Sequence, residues 1–132
     1  MVKERFMMSA VRYDSFGTFL STKRTERNIS LREMARRIGI SAPFLSDVER
    51  NKAAPLTIDR LYQVSEILSL SLEEQYEMYD IIAWQKHTIA PDLPEYIMAR
   101  RHIVLAIRVS REVNAEEADW LRCIEILKSI QI

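Results

Sequence analysis

The sequence predicts an all-α protein: a compact domain of five helices followed by a helical annex. Three observations carry that reading. Glycine occurs only twice and proline four times in 132 residues, and no Asn-Gly or Asp-Gly pair marks a hairpin. Apolar residues recur at three- and four-residue spacing in one segment after another. The stretch Ser30 to Lys52, SLREMARRIGISAPFLSDVERNK, reads as helix, tight turn, helix.

In that stretch Leu31, Met34, Ala35 and Ile38 form one apolar face, while Arg32, Arg36 and Arg37 point elsewhere. Ser30 followed by Glu33 predicts a capping box at the helix start. Gly39 supplies the left-handed residue that ends it. A second helix then opens at Ser41 with Pro43 in its first turn, turning Leu45 and Val48 inward and Ala42, Pro43, Ser46, Asp47 and Arg50 outward. A short helix propped on a buried partner, with small side chains at its N-terminal end, has the geometry to enter a major groove roughly 12 Å wide. The apolar spacing alone also fits an αα-hairpin without a DNA role.

The remaining elements follow in order. Residues 1–13 carry three bases and no clean period, predicting an arm that either meets phosphate or leans on the core through Met7, Met8 and Val11. From a cap at Asp14, the stripe Phe16, Phe19, Leu20, Lys23 predicts a first helix to about Glu26. After a polar loop at 51–57, Ile58, Leu61, Tyr62, Ser65 and Leu68 mark a fourth helix, with Thr57 as its cap. A fifth opens at Ser71 or Leu72, where Glu73 and Glu74 favour the N-terminus and Lys86 the C-terminus. Tyr76, Tyr79, Ala83 and Trp84 on it are assigned to helix packing rather than base stacking, because acids surround them. Two prolines in residues 88–94 mark a linker between the domain at 14–87 and the annex at 95–132. The annex is expected to hold a short helix near Pro94, a helix through Ile103, Ala106, Ile107 and Ser110, and a last one capped by Asn114 with Glu117 in the box position, running to about Ile130.

Composition sets bounds. With 48% hydrophobic residues the chain has enough apolar side chains for one core, and two full domains would crowd its length. The zero net charge conceals a division: residues 1–52 hold eleven Lys or Arg against six Asp or Glu, and the rest hold eight against thirteen. One basic side and one acidic side suit a protein that faces nucleic acid on one side only. The single cysteine, Cys123, cannot form an internal disulfide, fits a reducing, cytoplasmic compartment, and is expected to be a buried small hydrophobe among Leu121, Ile124 and Leu127. No leader or membrane span is expected, and no membrane partner. His87 and His102 lack neighbours at ligand spacing, so neither a metal nor another cofactor is expected. The acid pairs Glu73-Glu74 and Glu116-Glu117 fall in helix first turns, and no nucleophile constellation or phosphate loop appears, which argues against an enzyme.

The residues of the central stretch, with Phe19-Leu20 and Lys23-Arg24 upstream and Pro55, Ile58, Leu61 and Leu68 downstream, resemble the lambda-repressor-like, Xre-type helix-turn-helix family over about half the chain. The resemblance implies a five-helix DNA-binding domain of a small bacterial or phage regulator. It implies an ion pair between Arg24 and Glu49 joining the first helix to the third, compatible with a phosphate contact by Arg24. Backbone phosphates are expected at Ser30, Arg32, Arg36, Arg50, Asn51 and Lys52, and base edges at Ser41, Ala42, Pro43, Ser46 and Asp47. Where phage members of the family place amides that bond adenine, this chain has Ala42 and Pro43, which offer apolar contact such as to a thymine methyl; Asp47 is able to accept from cytosine N4. The functional expectation is a sequence-specific transcriptional regulator of double-stranded DNA, a repressor acting as a homodimer. The dimer interface is assigned to Trp120, Leu121, Ile124, Leu127 and Ile130, because the last helix is apolar over far more than one ~100° stripe. Two alternatives stand beside it: an antitoxin whose annex binds a toxin as protein partner, and a helical interaction module without DNA binding.

Overall fold

The structure, a computed structural model, describes residues 13–130; the expected N-terminal arm therefore lies outside the described residues, Tyr13 excepted. The described residues form eight helices and no strand: α1 Phe16–Glu26, α2 Leu31–Ile38, α3 Ala42–Glu49, α4 Ile58–Ile67, α5 Leu72–Lys86, α6 Pro94–Met98, α7 Arg101–Glu112 and α8 Glu117–Lys128. The protein is all-α, and its chain divides into two units between Leu93 and Pro94.

In the first unit the predicted stripes converge on one core. Phe16, Phe19 and Leu20 of α1 meet Met34, Ala35 and Ile38 of α2, Leu45 and Val48 of α3, Leu61 and Val64 of α4, and Met78, Ile81 and Ile82 of α5. Each fully buried Leu or Phe contributes roughly 1.5–3 kcal/mol relative to exposure. Ala90, within the segment 88–94 read as a linker, is buried in this same core.

Capping explains most of the boundaries and corrects two of them. Helix α1 is capped by Ser15 rather than Asp14: the Ser15 hydroxyl accepts from the Thr18 N–H at 3.1 Å, and the Gln85 side-chain oxygen takes the Phe16 N–H at 2.6 Å. At α2 the Ser30 hydroxyl accepts from the Glu33 N–H at 3.1 Å, but Glu33 does not reach back, because Arg36 and Arg37 hold its carboxylate. A complete capping box appears instead at α5, between Ser71 and Glu74. Thr57 occupies the cap position of α4 without a side-chain hydrogen bond. Asn114, expected to cap the last helix, has φ 53° and ends α7; Glu116 and Asp119 form the box that starts α8. Asn tolerates the left-handed region, and here that property decides its role.

The second unit is built differently. None of its described residues is buried, and Leu105, Ile107, Val109, Trp120, Leu121 and Ile124 all lie exposed along α7 and α8. Cys123 is likewise exposed, contrary to the expectation of a buried thiol, because α7 and α8 leave between them an open groove lined by Leu105, Ala106, Val109, Trp120 and Cys123.

Candidate nucleic-acid interface

The site is built on α2, its turn and α3. Gly39, at φ 85°, ends α2 in the left-handed conformation, its N–H bonded to the Ala35 carbonyl at 2.9 Å. Ile40 donates to the same carbonyl at 3.0 Å, so two residues of turn bring the chain to Ser41. The Ser41 hydroxyl accepts from the Phe44 N–H at 3.2 Å and starts α3. Leu45 and Val48 are fully withdrawn from solvent beneath it. Helix α3 thus lies fixed on the core with its opposite face in water.

Two ties set the tilt of α3 from its C-terminal end. The Arg24 guanidinium grips Glu49 with two parallel bonds, Nε to Oε2 at 2.8 Å and Nη2 to Oε1 at 2.9 Å, while Nη1 donates to the Ile29 carbonyl at 2.9 Å. The side chains are 15% and 8% exposed, so water screens the pair weakly, and the bond to Glu49 raises the Arg24 pKa. The second tie is Asn51, expected from the sequence to meet phosphate. Its amide instead donates to the Ser15 hydroxyl at 3.0 Å and accepts from the Gly17 N–H at 3.3 Å. Both ends of that side chain are committed to the start of α1.

The outward residues fall into a basic rim and the solvent-facing side of α3. Ser30, Arg32, Arg36, Arg50 and Lys52 are exposed. Arg36 and Arg37 share Glu33, at 3.1 and 2.7 Å, and the bonds from Arg36 and then Arg37 hold the Glu33 carboxyl at about 2. Arg50 reaches Asp47 at 3.1 Å. Of the residues on the outer face of α3 expected to meet base edges, Ser41 and Pro43 are exposed, Ser46 and Asp47 half-buried, and Ala42 half-buried against the core. Phe44, absent from the sequence-derived set, is 39% exposed in the first turn of α3. Its position flanks the inward pair Leu45 and Val48, which is the one signal that separates it from them.

A cluster that the sequence did not disclose joins Lys23, Arg27 and Glu74. Lys23 Nζ reaches Glu74 at 2.8 Å and Arg27 reaches the same carboxylate at 3.2 Å, with Arg27 Nε also on the Leu68 carbonyl at 2.8 Å. Burial pushes the Glu74 carboxyl up, but Lys23, the Ser71 N–H and Arg27 outweigh it and hold the group at about 2. This network joins α1 to α5 and is structural. Among the described residues no three His, Cys, Asp or Glu side chains gather to hold a metal, and no helix is long and apolar enough to cross a membrane. Trp120, Leu121, Ile124, Leu127 and Ile130 of the second unit are all exposed.

Comparison with known proteins places residues 20–75 in a helix-turn-helix family. Uncharacterised helix-turn-helix-type transcriptional regulators from two strains of Mycobacterium tuberculosis are each 38% identical over 60 residues, covering 46% of this chain and 42% of the relative. The chain thus matches less than half the length of these relatives. Among solved structures, SinR, a master regulator for biofilm formation crystallised in complex with DNA, is 32% identical, with a TM-score of 0.41, over 46% of this chain and 95% of that one.

Proposed function

We propose that this chain, whose residues 20–75 are a helix-turn-helix domain, is a sequence-specific regulator of transcription that binds double-stranded DNA and represses by occupying an operator. The observation that carries the reading is the fixing of α3: Leu45 and Val48 anchor it to the core, Arg24 and Asn51 tie its end, and its outer face is left to solvent. A helix held at one angle by buried groups is preorganised to enter a groove without reordering. Arg32, Arg36, Arg50 and Lys52 surround it with exposed positive charge, supporting contacts to backbone phosphate, and the N–H groups opening α2 at Ser30 add an anion-accepting end. Arg36 and Arg50 each keep donors beyond those given to Glu33 and Asp47, since a guanidinium has five.

The homodimer belongs to the same proposal. The second unit, about forty residues long, is near the size below which a chain rarely closes a core unaided, and it exposes apolar side chains on both long helices. Helix α7 carries three arginines and one glutamate, whereas α8 with its cap carries four acids against Arg122 and Lys128. A second copy related by a two-fold axis brings α7 of one chain to α8 of the other, joining opposite charge around an apolar centre. Two reading helices on half-sites about one helical turn apart then supply more specificity than one.

The test is selection of genomic fragments with the purified protein, followed by titration of the recovered duplex at several salt concentrations. The proposal expects an enriched site with two-fold symmetry, and log affinity falling against log salt with a slope of roughly −5 to −10 for the dimer. Failure to enrich any fragment, or a slope near zero, overturns it.

A further inference from the structure

The outer face of α3 offers a base only short polar side chains, Ser41, Ser46 and Asp47, and two of the three already hold a bond within the protein. Ser41 uses its hydroxyl oxygen as the cap of Phe44 at 3.2 Å, and one oxygen of the Asp47 carboxylate accepts from Arg50 at 3.1 Å. Ser46 is half-buried and carries only a short hydroxyl. What projects is apolar: Pro43, exposed, and Phe44, 39% exposed beside it. A large aromatic side chain left in water at the tip of a short helix gains by covering apolar surface, and in the major groove the apolar surface on a base edge is the 5-methyl group of thymine. Cytosine has only a hydrogen at C5, and the donors and acceptors that it, adenine and guanine present there are ones Pro43 and Phe44 cannot satisfy and would desolvate.

We propose that Pro43 and Phe44 form an apolar reading tip that selects thymine through its 5-methyl group, with Phe44 as a specificity-determining residue of this protein. The inference rests on the DNA-binding reading above and goes further by naming the chemical group read. Discrimination arises from methyl burial, with Arg50 offsetting the charge of the neighbouring Asp47 carboxylate.

Deoxyuridine separates this from every other mode of reading, because it keeps the hydrogen-bonding edge of thymine and lacks only the methyl. The full-length protein is titrated against its selected duplex and against duplexes in which each thymine of one half-site is replaced in turn by deoxyuridine. At one or two positions the substitution should weaken binding about fourfold, the size expected for one methyl-sized group no longer buried. Phe44→Ala should bind the thymine duplex more weakly and be indifferent to deoxyuridine at those positions, with an unchanged salt slope. Phe44→Leu, which keeps an apolar side chain, should restore part of the sensitivity. Circular dichroism should show that the variants keep their helices, since Phe44 is outside the buried core cluster. Equal affinity for thymine and deoxyuridine duplexes at all positions overturns the proposal while leaving DNA binding intact. So does full deoxyuridine sensitivity in Phe44→Ala, or a selected site without thymine in its half-sites. Failure of the protein to select any duplex removes the DNA-binding reading itself, and this inference with it.

Discussion

Single residues in this chain carry work that glycine does elsewhere. With two glycines available, helix ends fall to Asn28, Asn51, Ser69, His87 and Asn114, all at φ between 49° and 60°. Asparagine tolerates that region; serine does so with more strain. Ser69→Gly should therefore stabilise the protein by about 1 kcal/mol, read from the midpoint of urea unfolding. Asn51→Gly should not, because it forfeits the bonds to Ser15 and Gly17. A second residue-scale effect concerns acid. Glu74 titrates at about 2 in the folded chain against an ordinary value of 4.5, so its contribution is complete above 4.5 and is lost as pH falls from there towards 2. The contribution is at most about 3 kcal/mol. Glu74→Gln should lower stability at neutral pH and flatten its decline across that acid window, measured by unfolding at a series of pH values. Pairings of this kind were illegible in the sequence, because Lys23 and Glu74 lie far apart along the chain and periodicity speaks only of neighbours. Asn51 was illegible for another reason: an exposed amide next to Arg50 and Lys52 has the same pattern whether it faces phosphate or folds back onto α1.

Elements were legible where their ends are local. The α2–turn–α3 unit has its cap serines and its glycine in the sequence, and the structure puts the helices where those residues start and stop them. The start of α8 was misread because Asn114 suits a helix C-terminus as well as an N-cap, and only the left-handed backbone decides. How closely α1 lies on α3 was hidden altogether. A Cβ placed on Gly17 would stand 2.4 Å from the Glu49 carbonyl oxygen and 2.7 Å from that of Val48, so only glycine permits this approach of helix to backbone. Gly17→Ala should push α1 from α3 and cost more than the ~1 kcal/mol that alanine gains over glycine inside a helix. A lower melting temperature together with weaker operator binding would register it; a stabilised variant would mean the helices separate without cost. The Arg24–Glu49 pair belongs to the same junction. Removing either partner leaves a largely buried charge, at roughly 3–5 kcal/mol where burial is complete. The double substitution to uncharged residues should recover part of the loss, and a thermodynamic cycle without coupling would show that the two do not act together.

On the scale of the whole molecule, the two units differ in what they leave unfinished. Residues 16–90 bury Phe16, Phe19, Leu20, Met34, Leu45, Leu61 and Met78 in one core, though Trp84, assigned from the sequence to helix packing, is 69% exposed. The second unit has helices without a buried core, and Leu105, Ile107, Val109, Trp120, Leu121 and Ile124 lie exposed on α7 and α8. The width of that apolar surface was visible in the sequence as a last helix with more than one stripe; which chain covers it was not, since a single sequence contains no second copy. If the cover is another protomer, association and the completion of this unit are one event, and the unit's stability depends on protein concentration. A chain ending after Leu93 should then be a monomer with a melting transition independent of concentration, its α2 and α3 intact, and its operator affinity reduced. Ile124→Glu in the full chain should do the same by placing a carboxylate in the apolar centre, with little change in the unfolding of the first unit. Sedimentation across a range of concentrations reads both. A monomeric full-length protein, or a dimer that survives loss of residues 94–132, would falsify the assignment of the interface to α7 and α8.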